Sequence, residues 1–253
     1  MMKKTTKNLL FIGVFTVLFA TSLSLAQNDP NAPSEFEVGD STTFNTSLYP
    51  PQSHEAIAGN ITAINMHAVG QTKAWQGYYG NITATITLDD AEGNTFYNWS
   101  SANPRGQVYA TLGTSITWAD VECFDLGANW NDMHTRYNIA TDDGDAVNLT
   151  YTTTDHPTFY VLSQDFTAQC PTSYIFQNGA PQTDNFVNVL LNDPNLVSDS
   201  WIYTTLIEDK DAGSNAGRTC FNGDECDFQL LVNEDGHGTN TATTTYYFWV
   251  ELA

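Results

Sequence analysis

Basic residues are what this sequence most lacks: 8 Lys and Arg stand against 29 Asp and Glu in 253 residues, a formal net charge of −21. A field of that sign repels phosphate backbones and anionic headgroups, which argues against nucleic acid and anionic membranes as partners. Short metal pairs are also missing. The histidines at 54, 67, 134, 156 and 237 form no HExxH, and the cysteines form no CxxC. No Ser or Cys sits in a GxSxG elbow. With no catalytic spacing to point at, a non-enzymatic role is the preferred reading. The chemistry left open is a carboxylate pair for glycoside hydrolysis, because spatial separation decides it and sequence does not supply that distance.

What is present begins with an export signal. Lys3, Lys4 and Lys7 precede an apolar stretch, LLFIGVFTVLFA, which runs into Ser24-Leu25-Ala26. Small residues at those two positions are what a signal peptidase reads, so residues 1–26 are expected to be a leader and the mature chain to begin at Gln27. The rival is a retained anchor, since Leu9 to Ala26 is 18 residues, close to a membrane span. Thr16, Thr21, Ser22 and Ser24 dilute that run and favour cleavage. Past residue 26, five cations face all 29 carboxylates, a net −24 over 227 residues. Acidity of that density calls for salt, divalent cations or cross-links to offset self-repulsion.

Cross-links are available. Four Cys in an exported chain imply two disulfides, with three possible connectivities. Asn222-Gly223 can turn the chain between Cys220 and Cys226, so that pairing is preferred, which leaves Cys123 with Cys170. The second closes the longer loop and is worth on the order of 4 kcal/mol in the chain-entropy model.

The dominant hydrophobic period is two. Ile82, Ala84, Ile86 and Leu88 alternate with threonines, a polar turn follows at 89–94, and Thr95 to Trp99 returns. Alternation recurs at Val147, Leu149 and Tyr151, at Phe228, Leu230 and Val232, and from Tyr246 to Leu252. Short apolar runs at 159–162, 185–191 and 201–207 are bounded by Asn, Asp, Gly or Pro. This spacing predicts an all-β fold, an antiparallel β-sandwich of Ig-like or jelly-roll-like type. At most one short helix is expected, near 126–137, where Leu126, Trp130, Met133 and Tyr137 share a face behind Asp125 as a cap. No linker divides the chain. The expected organisation is a flexible polar segment at 27–40 and one sandwich domain over 41–253, with two small sandwiches as the alternative. TITLDDAEGNTFYNW and NVLLNDPNLVSDSWIYTTL echo each other as strand, acidic turn, aromatic strand, which repeated hairpins explain as well as duplication.

Candidate sites follow from residue type. Asn45, Asn60, Asn81, Asn98 and Asn148 head Asn-x-Ser/Thr sequons, and the parity of Asn81 and Asn148 in their expected strands points both to solvent. Asp142, Asp143 and Asp145 surround Gly144, and Asp224, Glu225 and Asp227 adjoin the Cys220–Cys226 ring. Such oxygen-rich turns can hold Ca²⁺, although neither has EF-hand spacing and a solvated turn is the simpler reading. Trp75, Tyr78 and Tyr79 can stack on sugars, with core filling or anchoring a subunit contact the preferred role. His134 is expected to be a surface or packing residue.

The segments AWQGYYGNITATITLDDAEGNTFYNW, WIYTTLIED, DFQLLVNEDGHG and TTTYYFWVELA resemble a group of secreted, β-rich archaeal surface proteins. The resemblance covers about residues 70–253. It implies a cell-envelope location and a surface-layer or filament role, with no functional residue to carry over. The leader departs from archaeal pilins, which keep the apolar stretch as a helix. Expected partners are other copies or other envelope proteins, with glycans as the alternative; no cofactor is required beyond optional Ca²⁺, and no membrane insertion is expected after cleavage.

Overall fold

The computed structural model describes residues 29–44, 50–101, 105–125, 127, 130–208, 218–237 and 240–252. The expected leader, Asn45 and Leu126 lie outside them. The architecture is mostly antiparallel β, a sandwich-like arrangement around one large sheet.

That sheet runs in the order β12 (Tyr247–Leu252), β4 (Gly106–Thr111), β10 (Trp201–Leu206), β9 (Val187–Asn192) and β5 (Glu122–Cys123), with β8 (Thr172–Tyr174) also pairing β9. Every residue of β9 and β10 is buried, because apolar material covers both faces. On one face, β1 (Trp75–Gly80) and β11 (Phe228–Asn233) form a two-stranded layer. Beside it pack α1 (Trp130–Arg136) and α2 (Val147–Thr150), and the core there includes Val108, Ala110, Met133, Tyr137, Leu190 and Tyr203. On the other face, the hairpin of β6 (Phe159–Val161) and β7 (Gln164–Phe166) covers Tyr109, Val189, Leu191 and Ile202. A strand buried on both sides loses polar alternation. The sequence pattern accordingly shows no strand at β4, although GQVYAT is central and buried from Gln107 to Thr111.

Both preferred disulfides are present. Cys123–Cys170 spans 4.8 Å between Cα atoms and ties β5 to the residues entering β8, where both short strands edge β9. Cys220–Cys226 spans 5.7 Å across the turn at Asn222-Gly223. No described helix is long and apolar enough to cross a membrane.

The helix expected near 126–137 is α1, with Met133 and Tyr137 buried. Asp125 does not cap it among the described residues; its carboxylate accepts from the Gly127 N–H at 2.7 Å, upstream of the helix. His134 is a packing residue, stacked on Trp130 with ring centroids 6.2 Å apart. The expected strand at 147–151 is instead a helical turn, α2, and so a second helix. Val147 and Tyr151 are four apart and both buried, while Leu149 is exposed, a separation that one helical turn satisfies. The parity argument for Asn148 falls with that strand.

Candidate functional site: the unpaired apolar surface

The hairpin of β2 (Ala84–Asp89) and β3 (Thr95–Ser101) forms where alternation and the turn residues predict it. Asp90 closes the turn by accepting from the Asn94 and Glu92 N–H groups at 2.7 and 3.1 Å, and Gly93 takes φ +85°. Burial does not follow the pattern. Ala84 is buried and Ile86 half-buried, but Leu88, Tyr97 and Trp99 are exposed. The register sets Ile86 opposite Trp99 and Leu88 opposite Tyr97, so one ribbon face is apolar and continuous. The Tyr97 and Trp99 rings meet at 4.9 Å. Phe96, on the opposite face, is 84% exposed.

Residues 50–71 are a second such surface. They carry no regular secondary structure and are almost wholly exposed. Ile57, Ile61, Ile64, Met66 and Val69 all face solvent, with Met66 88% exposed. The backbone bond recorded within the stretch runs from the Asn60 N–H to the Ile57 carbonyl, at 3.2 Å. Charge is sparse here too, since Glu55 is the sole carboxylate between Asp40 and Asp89.

The third feature is an edge. β12 pairs with β4 on its inner side only. On its outer side the Val250 N–H and carbonyl bond Asn31 at 2.8 and 3.0 Å, an isolated bridge. By antiparallel alternation the backbone groups of Phe248 and Leu252 also face outward, and neither has a backbone partner there among the described residues. Asn31 lies within the expected flexible segment at 27–40, whose described part is mostly exposed. Phe36 rests on Phe248 at 5.2 Å, and the Phe248 ring meets Tyr78 edge-on at 5.1 Å.

The aromatic cluster read from sequence is divided by the strand it sits on. Trp75 donates its indole N–H to the Asp145 carbonyl at 2.6 Å and packs toward Tyr151. Tyr78 is half-buried against Phe248, and burial pushes its phenol pKa up, helped by the Glu234 charge. Tyr79 is half exposed, against Phe221 at 5.2 Å. The three rings therefore serve separate contacts.

The acidic turns are divided likewise. Asp143 accepts from the Ala140 N–H at 2.8 Å, Asp145 accepts from the Thr72 hydroxyl at 2.5 Å, and Asp142 is exposed. Asp224 accepts from the Asn222 amide at 2.6 Å and Glu225 is exposed. Asp227 is buried; its carboxylate accepts from the Ile82 N–H at 2.8 Å and its carbonyl from the Glu208 N–H at 2.7 Å, tying β11 to the exits of β1 and β10. Among the described residues no three metal-ligating side chains converge. Of the described sequons, Asn60, Asn81 and Asn98 are exposed. Asn148 is half-buried on α2, its amide 3.4 Å from the Thr141 carbonyl. Asn81 lies in the connector before β2.

Two buried carboxylates were not legible as functional groups. Glu251 is fully buried between its bonds from the Tyr109 hydroxyl, 2.5 Å, and the Leu162 N–H, 2.7 Å; burial raises its pKa against those bonds. Glu208 is buried beside Arg218, 2.5 Å away, and burial again raises its pKa while the guanidinium opposes the shift. Both are tied into the fold by these bonds. One described cleft, about 290 Å³, is lined by Glu122, Asp132, Asn192, Asp199, Ser200 and Trp201 among others; Asp199 is paired with Arg136 at 3.2 Å, and the Ser200 hydroxyl donates to the Asn192 side-chain oxygen at 2.6 Å.

No protein-family model matches the chain, and no curated protein or solved structure matches it.

Proposed function

We propose that this chain is an exported, acidic cell-surface protein of structural or adhesive role, assembling through its open sheet edge and its apolar surfaces. The observation that carries the reading is the concentration of exposed apolar side chains, among them Ile57, Ile61, Ile64, Met66, Val69 and Leu88, in the charge-poor stretch between Asp40 and Asp89 and in the adjoining strand β3. Contiguous exposed apolar surface on a protein otherwise covered in carboxylates marks a contact with another molecule. Two disulfides support an oxidising exterior, and the resemblance to secreted archaeal surface proteins supports an envelope location. A glycan on Asn98 would stand opposite Thr87 on the ribbon face that also carries Phe96, leaving the Tyr97 and Trp99 face free.

Calcium acts in this reading by screening the carboxylates between copies. Purified protein is expected to form ordered oligomers in sedimentation or light scattering as Ca²⁺ rises to millimolar levels. Strictly monomeric behaviour across that range contradicts the proposal. A second reading, a secreted sugar-binding module or glycosidase, is favoured by the exposed Tyr97–Trp99 ring pair, which offers a stacking platform. Its test is a glycan array with a polysaccharide hydrolysis screen; a blank in both removes it.

A further inference from the structure

We infer which two surfaces meet: residues 57–69 of one copy add as a strand to the outer side of β12 in a second copy. The inference rests on the reading of the chain as a self-associating subunit and specifies its contact. Strand addition needs an edge with unmet backbone groups, an extended donor with its own groups unmet, and side chains that suit both faces of the enlarged sheet.

β12 supplies the edge, and the chain's own attempt to cover it stops early for a covalent reason. Continuing the antiparallel count from the Asn31–Val250 bridge brings residue 33 opposite Phe248. Residue 33 is Pro, which has no N–H to give. The segment therefore bonds only Val250 along the edge among the described residues, with Pro30 buried and the exposed Phe36 ring laid on Phe248. Such a weak cover is readily replaced by a strand that bonds along the full edge.

Residues 57–69 supply the donor: residues 61–69 have no backbone bond among the described residues, and the turn at Gly59, held by the Asn60 N–H to Ile57 carbonyl bond, opens on pairing. At about 3.3 Å per residue they outreach six-residue β12, so a part of the stretch is long enough to pair its whole length. Phe248 and Val250 pack on one core of the sheet and Trp249 on the other, so an added strand must present apolar groups on both sides. Ile57, Ile61 and Val69 fall on one parity and Ile64 and Met66 on the other. Neutrality selects the occupant further: a body carrying so many carboxylates repels most of its own sequence, and this stretch has no ionised carboxylate past Glu55.

The test uses a variant that cannot harm the monomer. Thr62→Pro lies in a segment without strand bonds, so the isolated protein should melt as the parent does, while the donor loses an N–H and its extended register. Expected is a rise of roughly tenfold or more in the concentration needed for assembly, read by sedimentation velocity. Alongside it, copies carrying Ala58→Cys, Ala63→Cys or Ala68→Cys are mixed with copies carrying Tyr247→Cys. At least one mixture should give a disulfide-linked pair of unlike copies, since native cysteines are all paired among themselves. Assembly by Thr62→Pro at parental concentration, or no unlike pair in any mixture, overturns this inference and leaves the assembly reading standing. A parent protein that stays monomeric overturns both. A synthetic peptide of residues 55–70 that binds lipid vesicles but not the protein also overturns it, by naming a different occupant.

Discussion

The hairpins β2–β3 and β9–β10 share a sequence pattern, strand, acidic turn and aromatic strand, and meet opposite fates. In β9–β10 every strand residue is buried, and Leu191, just before the turn, touches no solvent. In β2–β3 the equivalent Leu88 is half exposed with Tyr97 and Trp99 beside it. Apolar alternation states which face of a strand seeks cover, but supply of that cover depends on what the rest of the chain lays over it. β9–β10 has layers on both sides; the apolar face of β2–β3 stays largely exposed among the described residues.

Substitutions can break or sharpen that contrast. The largest loss is expected at Gly106, which begins β4 at φ +123° where an added Cβ would overlap the Glu251 carbonyl oxygen. Gly106→Ala should cost about 4 kcal/mol or more in chemical denaturation, by forcing β12 off β4. Removing the Cys123–Cys170 bridge by replacing both residues with Ala should cost about 4 kcal/mol, since the closed loop spans 47 residues. Leu191→Ala should cost about 3 kcal/mol as a cavity in the core. Leu88→Ala, the matched change in the exposed hairpin, should stay within about 0.5 kcal/mol while weakening assembly. Equal stability losses at the two leucines would abolish the distinction.

Stability against pH offers a smaller, signed effect. Burial raises the Glu208 and Glu251 carboxyls, so over a window above the ordinary carboxylate range the folded chain keeps protons that the unfolded chain has released. Their contribution is full below that range and is lost as pH rises through the raised values. The melting temperature should therefore fall as pH rises above the ordinary carboxylate range, a trend that general carboxylate repulsion reinforces. Glu251→Gln should flatten the slope relative to the parent, because it removes one titrating group and leaves the net repulsion nearly unchanged. An unaltered slope assigns the trend to repulsion alone.

How much of this was legible in the sequence depends on burial. β2, β3, β11 and β12 announce themselves by alternation, α1 by the spacing of Met133 and Tyr137, and both disulfides by the turn at Asn222-Gly223 and what it leaves over. β4 does not, since burial of both faces erases its period. β5, β7 and β8 are too short to show one. α2 mimicked a strand because three residues at alternate positions fit either reading until Leu149 is seen in solvent. The acidic turns looked like one kind of site, yet Asp143, Asp145 and Asp227 are each spent on a separate backbone or hydroxyl donor. The exposed stretch at 50–71 falls inside the expected domain of 41–253, and no periodicity or turn signal in it marks that it lacks regular secondary structure.

Amide hydrogen exchange, followed in the monomer and in the Ca²⁺-assembled protein, tests the central claim most directly. The account predicts strong protection of residues 187–206 in both states. Residues 57–69 should exchange at free-chain rates in the monomer and slow by roughly tenfold or more on assembly. Protection of that stretch in the monomer, or free exchange in the assembled protein, would contradict it.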